Sequence, residues 1–243
     1  MYKKVMQRFG FFTDENSPAL TVLLLGSPGS GKTTLLANVT DIKTLKATSD
    51  VEAPFYCEPF AIKEHDIAWN GTSCKVIELA HVEYESLTDC ANELKKKYPF
   101  IDIVYLCMDI TNLRDGRDKP QLVVLNELDH WLEKTVFLFT KTNKLFNEET
   151  ESYSAKRLEI REKDIRTFLT DYLEVAKESA EKICFYQAGD SLLEAKDKTS
   201  QHDMGNWLEA IRLATARILT ARKDLKNFTD ALERKLDSKE FNL

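Results

Sequence analysis

The feature that most constrains this chain is the apolar run Leu20-Thr21-Val22-Leu23-Leu24-Leu25 with the segment behind it, Gly26-Ser27-Pro28-Gly29-Ser30-Gly31-Lys32-Thr33. A continuous apolar, β-branched-containing run bounded by glycine predicts a strand buried on both faces. Thr33 to Val39 then has helix-compatible composition. The segment between satisfies G-x-x-x-x-G-K-[ST] at every fixed position, with a strand before it and a helix after it. Glycines let successive backbone N–H groups point inward at an anion. The unpaired N–H groups and dipole of the following helix favour the same charge. In this pattern Lys32 neutralises the β- and γ-phosphates and Thr33 places its hydroxyl on Mg²⁺. Gly26, Ser27, Pro28, Gly29, Ser30, Gly31, Lys32, Thr33 and Thr34 are therefore the candidate phosphate cradle. The pattern specifies a nucleoside triphosphate and leaves base and reaction open, because kinases, ATPases and GTPases share it.

Downstream, alternating stretches at Phe55–Ile62 and Cys74–Leu79 flank Asn70-Gly71, a two-residue hairpin signal, so two antiparallel neighbours are expected. Leu87–Tyr98 reads as an amphipathic helix, Ile101–Met108 as a buried strand, Pro120–Glu133 as a helix and Thr135–Thr140 as another buried strand. A long charged helix over Ser154–Glu181, a short strand at Ile183–Tyr186 and one or two helices over Trp207–Leu236 complete the chain. Alternating helices and buried strands predict an α/β fold, a sheet between helical layers, which with the phosphate loop reads as a three-layer P-loop NTPase. Its sheet is expected to be mostly parallel with one antiparallel edge hairpin. The expected organisation is a lead-in over residues 1–18, a G domain over 19–205 and a C-terminal helical extension over 206–243.

Composition narrows the function classes. With only eight glycines and six prolines in 243 residues, a turn-rich all-β protein and a disordered one are both disfavoured. A net charge of −6 argues against a general nucleic-acid binder, which needs a basic face. Cys57, Cys74, Cys90, Cys107 and Cys184 form no C-x-x-C, and His65, His81, His130 and His202 are scattered. Free thiols in a reducing compartment are expected rather than zinc or disulfides. The most apolar N-terminal run, Ala19–Leu25, is far short of the roughly 20 residues that span a bilayer. Neither a secretory h-region nor a prenylation box is recognisable. The expectation is a cytosolic protein with no membrane segment of its own.

Three later segments bear on the choice among phosphate-loop classes. In Val76-Ile77-Glu78-Leu79-Ala80-His81, Glu78 stands where a GTPase carries its magnesium aspartate and could hold the ion through water. His81 replaces the glycine of D-x-x-G; it either stabilises charge at the γ-phosphate or is a plain surface-loop histidine. Thr140-Lys141-Thr142-Asn143 occupies the place of [NT]-K-x-D. The Lys141 stem can pack along a purine, whereas Asn143, with one acceptor and one donor, cannot accept two guanine N–H groups as a carboxylate does. Phe185-Tyr186-Gln187-Ala188-Gly189 stands where a final base-contacting loop belongs, with Gln187 or the Ala188 N–H available to the guanine oxygen.

The order GSPGSGKT, IELAHVE and the stretch from Tyr98 to Leu145 resembles the immunity-associated (GIMAP-type) GTPases and their relatives, the chloroplast outer-envelope import-receptor GTPases. The resemblance covers roughly residues 20–215. It implies a Ras-like G domain with an extra C-terminal helix, bound GTP or GDP with Mg²⁺, slow hydrolysis, and dimers or oligomers formed through the nucleotide face. Family members often tether to membranes through C-terminal segments. Glu78 and His81 depart from the family's Asp and Gly, and Asn143 departs from its Asp, a carboxylate that the import receptors also lack. Thr48 and Ser49 are the candidate switch residues to close on magnesium, although the family position aligns as well with Glu52. Arg114 and Arg117 lie near where relatives present an arginine across the dimer, or are solvated loop residues. Two readings remain beside the GTPase: a nucleotide-gated scaffold that scarcely hydrolyses, and an ATP-using P-loop ATPase or kinase.

Overall fold

In a computed structural model, the described residues are 20–39, 59–69, 72–111, 116, 118–142 and 151–188, with 216–218, 220, 221, 224 and 227. Strand β1 (Leu20–Leu25) is buried along its whole length, because both of its faces are covered. Val22 and Leu24 point into one apolar cluster with Leu35 and Leu36 of helix α1 (Lys32–Val39). Leu23 and Leu25 point into the opposite cluster. Residues of a strand alternate between faces, so this run has to be apolar throughout.

Around β1 are arranged β2 (Phe60–Trp69), β3 (Thr72–Val82), β4 (Ile103–Asp109), β5 (Thr135–Thr140) and β6 (Phe185–Ala188). They form a six-stranded sheet in the order β2-β3-β1-β4-β5-β6. The β2–β3 pair is antiparallel and every other neighbour is parallel, as expected from the sequence. Asp102, at the entrance to β4, fixes that strand's alignment on β1. Its carboxylate accepts the Thr21 N–H at 2.6 Å, and its own N–H donates to the Thr21 carbonyl at 2.8 Å.

Helix α2 (Leu87–Lys97) buries Leu87, Cys90, Ala91 and Leu94, a spacing that forms one helical stripe. Three lysines in its last turn suit the negative end of the helix dipole. Buried on the same side of the sheet are Leu122 and Leu125 of α3 (Lys119–Asn126), with Leu158, Ile165 and Leu169 of α5 (Glu151–Asp171). Ile218, within a helical stretch, packs on the α1 side.

Several boundaries differ from the sequence expectation. The strand expected over Phe55–Ile62 runs from Phe60 to Trp69 in its described part, at the edge of the sheet, where Lys63, Glu64 and Asp66 are exposed. Solvent on that edge obscures the apolar alternation. The single helix expected over Pro120–Glu133 is two, α3 and the short α4 (Trp131–Lys134), separated where His130 adopts a left-handed φ of 52°. The long helix expected over Ser154–Glu181 stops at Asp171 and is followed by α6 (Lys177–Glu181). There Glu174 takes φ 56°, and the N–H groups of Leu173 and Val175 reach back to the carbonyls of Phe168 and Leu169. That conformation normally calls for glycine, so the sequence carries no sign of the stop.

The insertion after β4 is tied down where α3 begins. Asp118 is buried and accepts from Arg161 of α5 at 2.7 Å. Charges this well buried destabilise strongly when one partner is removed. Asp118→Ala should therefore lower unfolding stability by about 3 kcal/mol in urea denaturation; a loss under about 1 kcal/mol would place the pair with solvent-screened surface bridges.

Candidate functional site

The carboxyl ends of β1, β4, β5 and β6 lie side by side, and in open parallel sheets this is the rim where ligands bind. Gly26 leaves β1 at φ 148°. A Cβ there would sit 2.4 Å from the Cys107 carbonyl of β4 and 2.4 Å from Ser30 Oγ. The turn can thus lie against β4 only with hydrogen at this position. The Ser30 N–H donates to the Ser27 carbonyl at 3.0 Å, and α1 begins at Lys32. Pro28 and Gly29 are exposed, Ser27, Ser30 and Lys32 are buried, and Gly31, Thr33 and Thr34 are half-buried.

Lys32 folds across the loop, its ammonium donating to the Gly26 carbonyl at 2.8 Å and the Ser27 carbonyl at 3.2 Å. Burial pushes its pKa down, and the Glu78 carboxylate partly opposes that shift. Glu78 lies on β3 beside Leu24 of β1 and is only 8% exposed. One side of the site therefore carries a buried ammonium and a buried carboxylate within electrostatic reach of each other.

The other side is built from the end of β5. Thr140 is buried; its hydroxyl donates to the Ser30 carbonyl at 2.7 Å, with the Met108 carbonyl 3.2 Å away. This bond ties the expected base-reading strand to the phosphate loop. Lys141 adopts φ 60°, and its ammonium pairs with Asp109 at the end of β4 at 2.7 Å. Asp109 also accepts the N–H and hydroxyl of Thr111, at 2.9 and 2.6 Å. Burial alone would raise the Asp109 pKa, but the bonds from Lys141 and Thr111 outweigh it and hold the carboxyl below its ordinary 3.8. The stabilisation from this group is complete above that pH and is lost as pH falls through the lower folded-state value. Ala188 is buried opposite Thr140, and Gln187 is exposed opposite Phe139. The position of β6 is held by stacking of Phe139 on Phe185 at 5.3 Å and by Arg166, 4.9 Å above the Phe185 ring.

The structure thus gathers Gly26 to Thr34, Glu78, Thr140, Lys141, Gln187 and Ala188 around one rim. Thr48, Asn143, Arg114 and Arg117 lie outside the described residues. His81 was expected in a turn; its backbone instead continues β3, opposite Ala61 beside a register shift in the hairpin. Among free thiols, Cys74, Cys90 and Cys107 are buried, which pushes them up to about 11, 12 and 12, and Cys184 is exposed. Sequence reasoning missed Asp109, although a lone carboxylate closing the buried run IVYLCMD was a visible signal.

The loop geometry makes two glycine substitutions diverge. Gly29 has φ 77° with nothing within 4 Å of where an added methyl would lie, whereas the corresponding methyl at Gly26 collides with backbone. Gly29→Ala should cost about 1–2 kcal/mol of backbone strain, and Gly26→Ala clearly more, about 3 kcal/mol or beyond, in paired thermal melts. Equal losses would contradict the close approach of Gly26 to β4.

No protein-family model and no curated protein matches the sequence. Solved structures do share its fold. LeoA, a bacterial dynamin GTPase from ETEC, aligns over 97% of this chain at 16% identity and TM-score 0.59. This chain spans 42% of LeoA's length. Toc33 from Arabidopsis thaliana, in complex with Mg²⁺ and GMPPNP, aligns over 90% of this chain and 92% of its own at 18% identity and TM-score 0.54. A structure of the chloroplast translocon components atToc33 and psToc159 aligns over 89% of each chain at 19% identity and TM-score 0.57. The chain has the fold of the P-loop GTPases.

Proposed function

We propose that this chain is a magnesium-dependent guanine-nucleotide-binding protein that hydrolyses GTP slowly and changes its self-association with the bound nucleotide. The observation that carries this reading is the buried Lys32 ammonium in a loop that Thr140 ties to the strand before the expected base box. A buried ammonium whose hydrogen bonds among the described residues go to neutral carbonyls gains most from an anion, because burial has removed much of its hydration. Facing phosphate, it would exchange the Gly26 and Ser27 carbonyls for charged oxygens, beside the N–H groups at the start of α1.

The residues present also suit magnesium. Thr33 and Glu78 offer a hydroxyl and a carboxylate, the hard oxygen donors that this ion takes alongside phosphate oxygens. Bound there, the ion would neutralise charge on the β- and γ-phosphates. Glu78 would act through water, with Thr48 a further candidate ligand. Lys141, held by Asp109, would lie along the purine, with Gln187 and the Ala188 N–H near its oxygen. His81 and an arginine from a second copy, Arg114 or Arg117, are the groups available to steady the attacking water and the charge on the γ-phosphate. Hydrolysis by phosphate-loop proteins is mainly positioning and electrostatics, and with Glu78 and His81 in place of the usual Asp and Gly, water orientation would be the weak part and the rate slow.

Dimerization is important for the GTPase activity of atToc33 and psToc159, which supports self-association here; we place it at the nucleotide face. The departures at Glu78, His81 and Asn143 favour a second reading, a nucleotide-gated scaffold with negligible turnover. Among the described residues no helix is long and apolar enough to cross a membrane. The cytosolic address stays a proposal.

Competition binding and turnover test both readings. Unlabelled GDP and GTP should displace a fluorescent GDP analogue at micromolar concentrations and ATP should not; displacement by ATP alone contradicts guanine binding. The GTP turnover rate per molecule should rise with protein concentration, and a flat zero rate selects the scaffold. Asn143→Asp, which restores a carboxylate acceptor, should tighten GDP by about tenfold, a gain of about 1.4 kcal/mol within the range of a charged hydrogen bond.

A further inference from the structure

We propose that His65, a β2 residue outside every nucleotide-binding motif, is a positioning residue for Glu78 and thereby sets the magnesium affinity of the site. The inference rests on the nucleotide-binding reading above. Three observations converge on it.

The first is register. In the β2–β3 ladder Lys63 stands opposite Glu78 and His65 opposite Val76. Alternate residues share a face, so His65, Val76 and Glu78 project to the same side of the sheet. Val76 belongs to the apolar cluster on the α1 side, the side from which Lys32 reaches the loop.

The second is contact. His65 Nε2 lies 3.4 Å from Glu78 Oε2. That nitrogen is buried and makes no hydrogen bond among the described residues. An unpaired buried donor is costly, and the nearby carboxylate oxygen is one short movement from satisfying it. Catalytic-site hydrogen bonds are often long without ligand and shorten when it binds. A neutral imidazole with its proton on Nε2 is sufficient for this bond.

The third is the side chain itself. Glu78 carries one methylene more than the aspartate usual at this place, hence one more torsion to fix. Lys32, buried at the start of α1, carries the opposite charge and attracts the carboxylate from the loop side. A hydrogen bond from His65 to one oxygen would hold the carboxylate against that pull and leave the other oxygen for a magnesium-bound water. Lys63, directly across the ladder, is exposed.

Groups that orient a metal-binding carboxylate typically govern metal affinity by about 10–100-fold, so the expected effect is measurable. The full chain is loaded with a fluorescent GDP analogue, and its dissociation rate is followed from EDTA to millimolar magnesium. In His65→Ala the magnesium midpoint for slowing dissociation should rise by about tenfold, with the rate in EDTA unchanged. His65→Gln places an amide N–H near the position of Nε2 and should return the midpoint towards wild type. A His65→Ala midpoint equal to wild type, or a His65→Gln midpoint as displaced as that of alanine, overturns the proposal. Failure of the wild type to bind GDP instead removes the nucleotide reading on which the proposal stands. A wild type that binds GDP without regard to magnesium refutes the Glu78 assignment and this inference together.

Discussion

The geometry of the rim depends on one steric constraint, the absence of a side chain at Gly26. Cys107 of β4 and Ser30 both stand 2.4 Å from where a Cβ would be. With hydrogen there, the chain leaves β1, turns against β4 and enters α1 within a few residues. Lys32 is then brought over its own loop, and the Ser30 carbonyl is set within reach of Thr140. The parallel ladder from β1 through β4 to β5 converts this local turn into a shared surface. Residues on distant parts of the chain, those of the glycine loop and of the end of β5, meet because the parallel strands deliver their carboxyl ends to the same edge of the sheet.

Electrostatics adds a second layer. The rim carries two cation–carboxylate relations of different kinds. Lys141 and Asp109 are in direct contact at 2.7 Å, so the Lys141 ammonium is committed and its aliphatic stem is the part available to a base. Lys32 and Glu78 interact at longer range, and Lys32 directs its donors at carbonyls. A ligand bearing negative charge is therefore favoured at Lys32 and not at Lys141. On the proposed reading, this asymmetry would orient a nucleotide with its phosphates over the glycine loop and its base towards β5 and β6.

Much of this was legible in the residues, for physical reasons. A strand covered on both faces has to be apolar at every position, and Leu20–Leu25 and Thr135–Thr140 are found at their expected bounds. The phosphate loop combines glycine spacing with an obligatory lysine, and the hairpin follows from Asn-Gly. Helix stops were not legible where non-glycine residues, His130 and Glu174, adopt the left-handed backbone that normally calls for glycine. Edge strand β2 hid its length because solvent tolerates Lys63, Glu64 and Asp66 there. The pairings of Asp109 and His65 were not legible because their partners, Lys141 and Glu78, are 32 and 13 positions away and only strand pairing brings them together.

On the proposed reading, Lys32 and its loop hold the phosphates of a purine nucleotide. Isothermal titration of GDP into the wild-type chain and into Lys32→Ala, in millimolar magnesium, tests it most directly. Saturable micromolar binding is expected for the wild type and no detectable heat for the variant, both proteins showing the same far-UV circular dichroism. A wild type that does not bind, or a folded Lys32→Ala that binds as tightly, would contradict it.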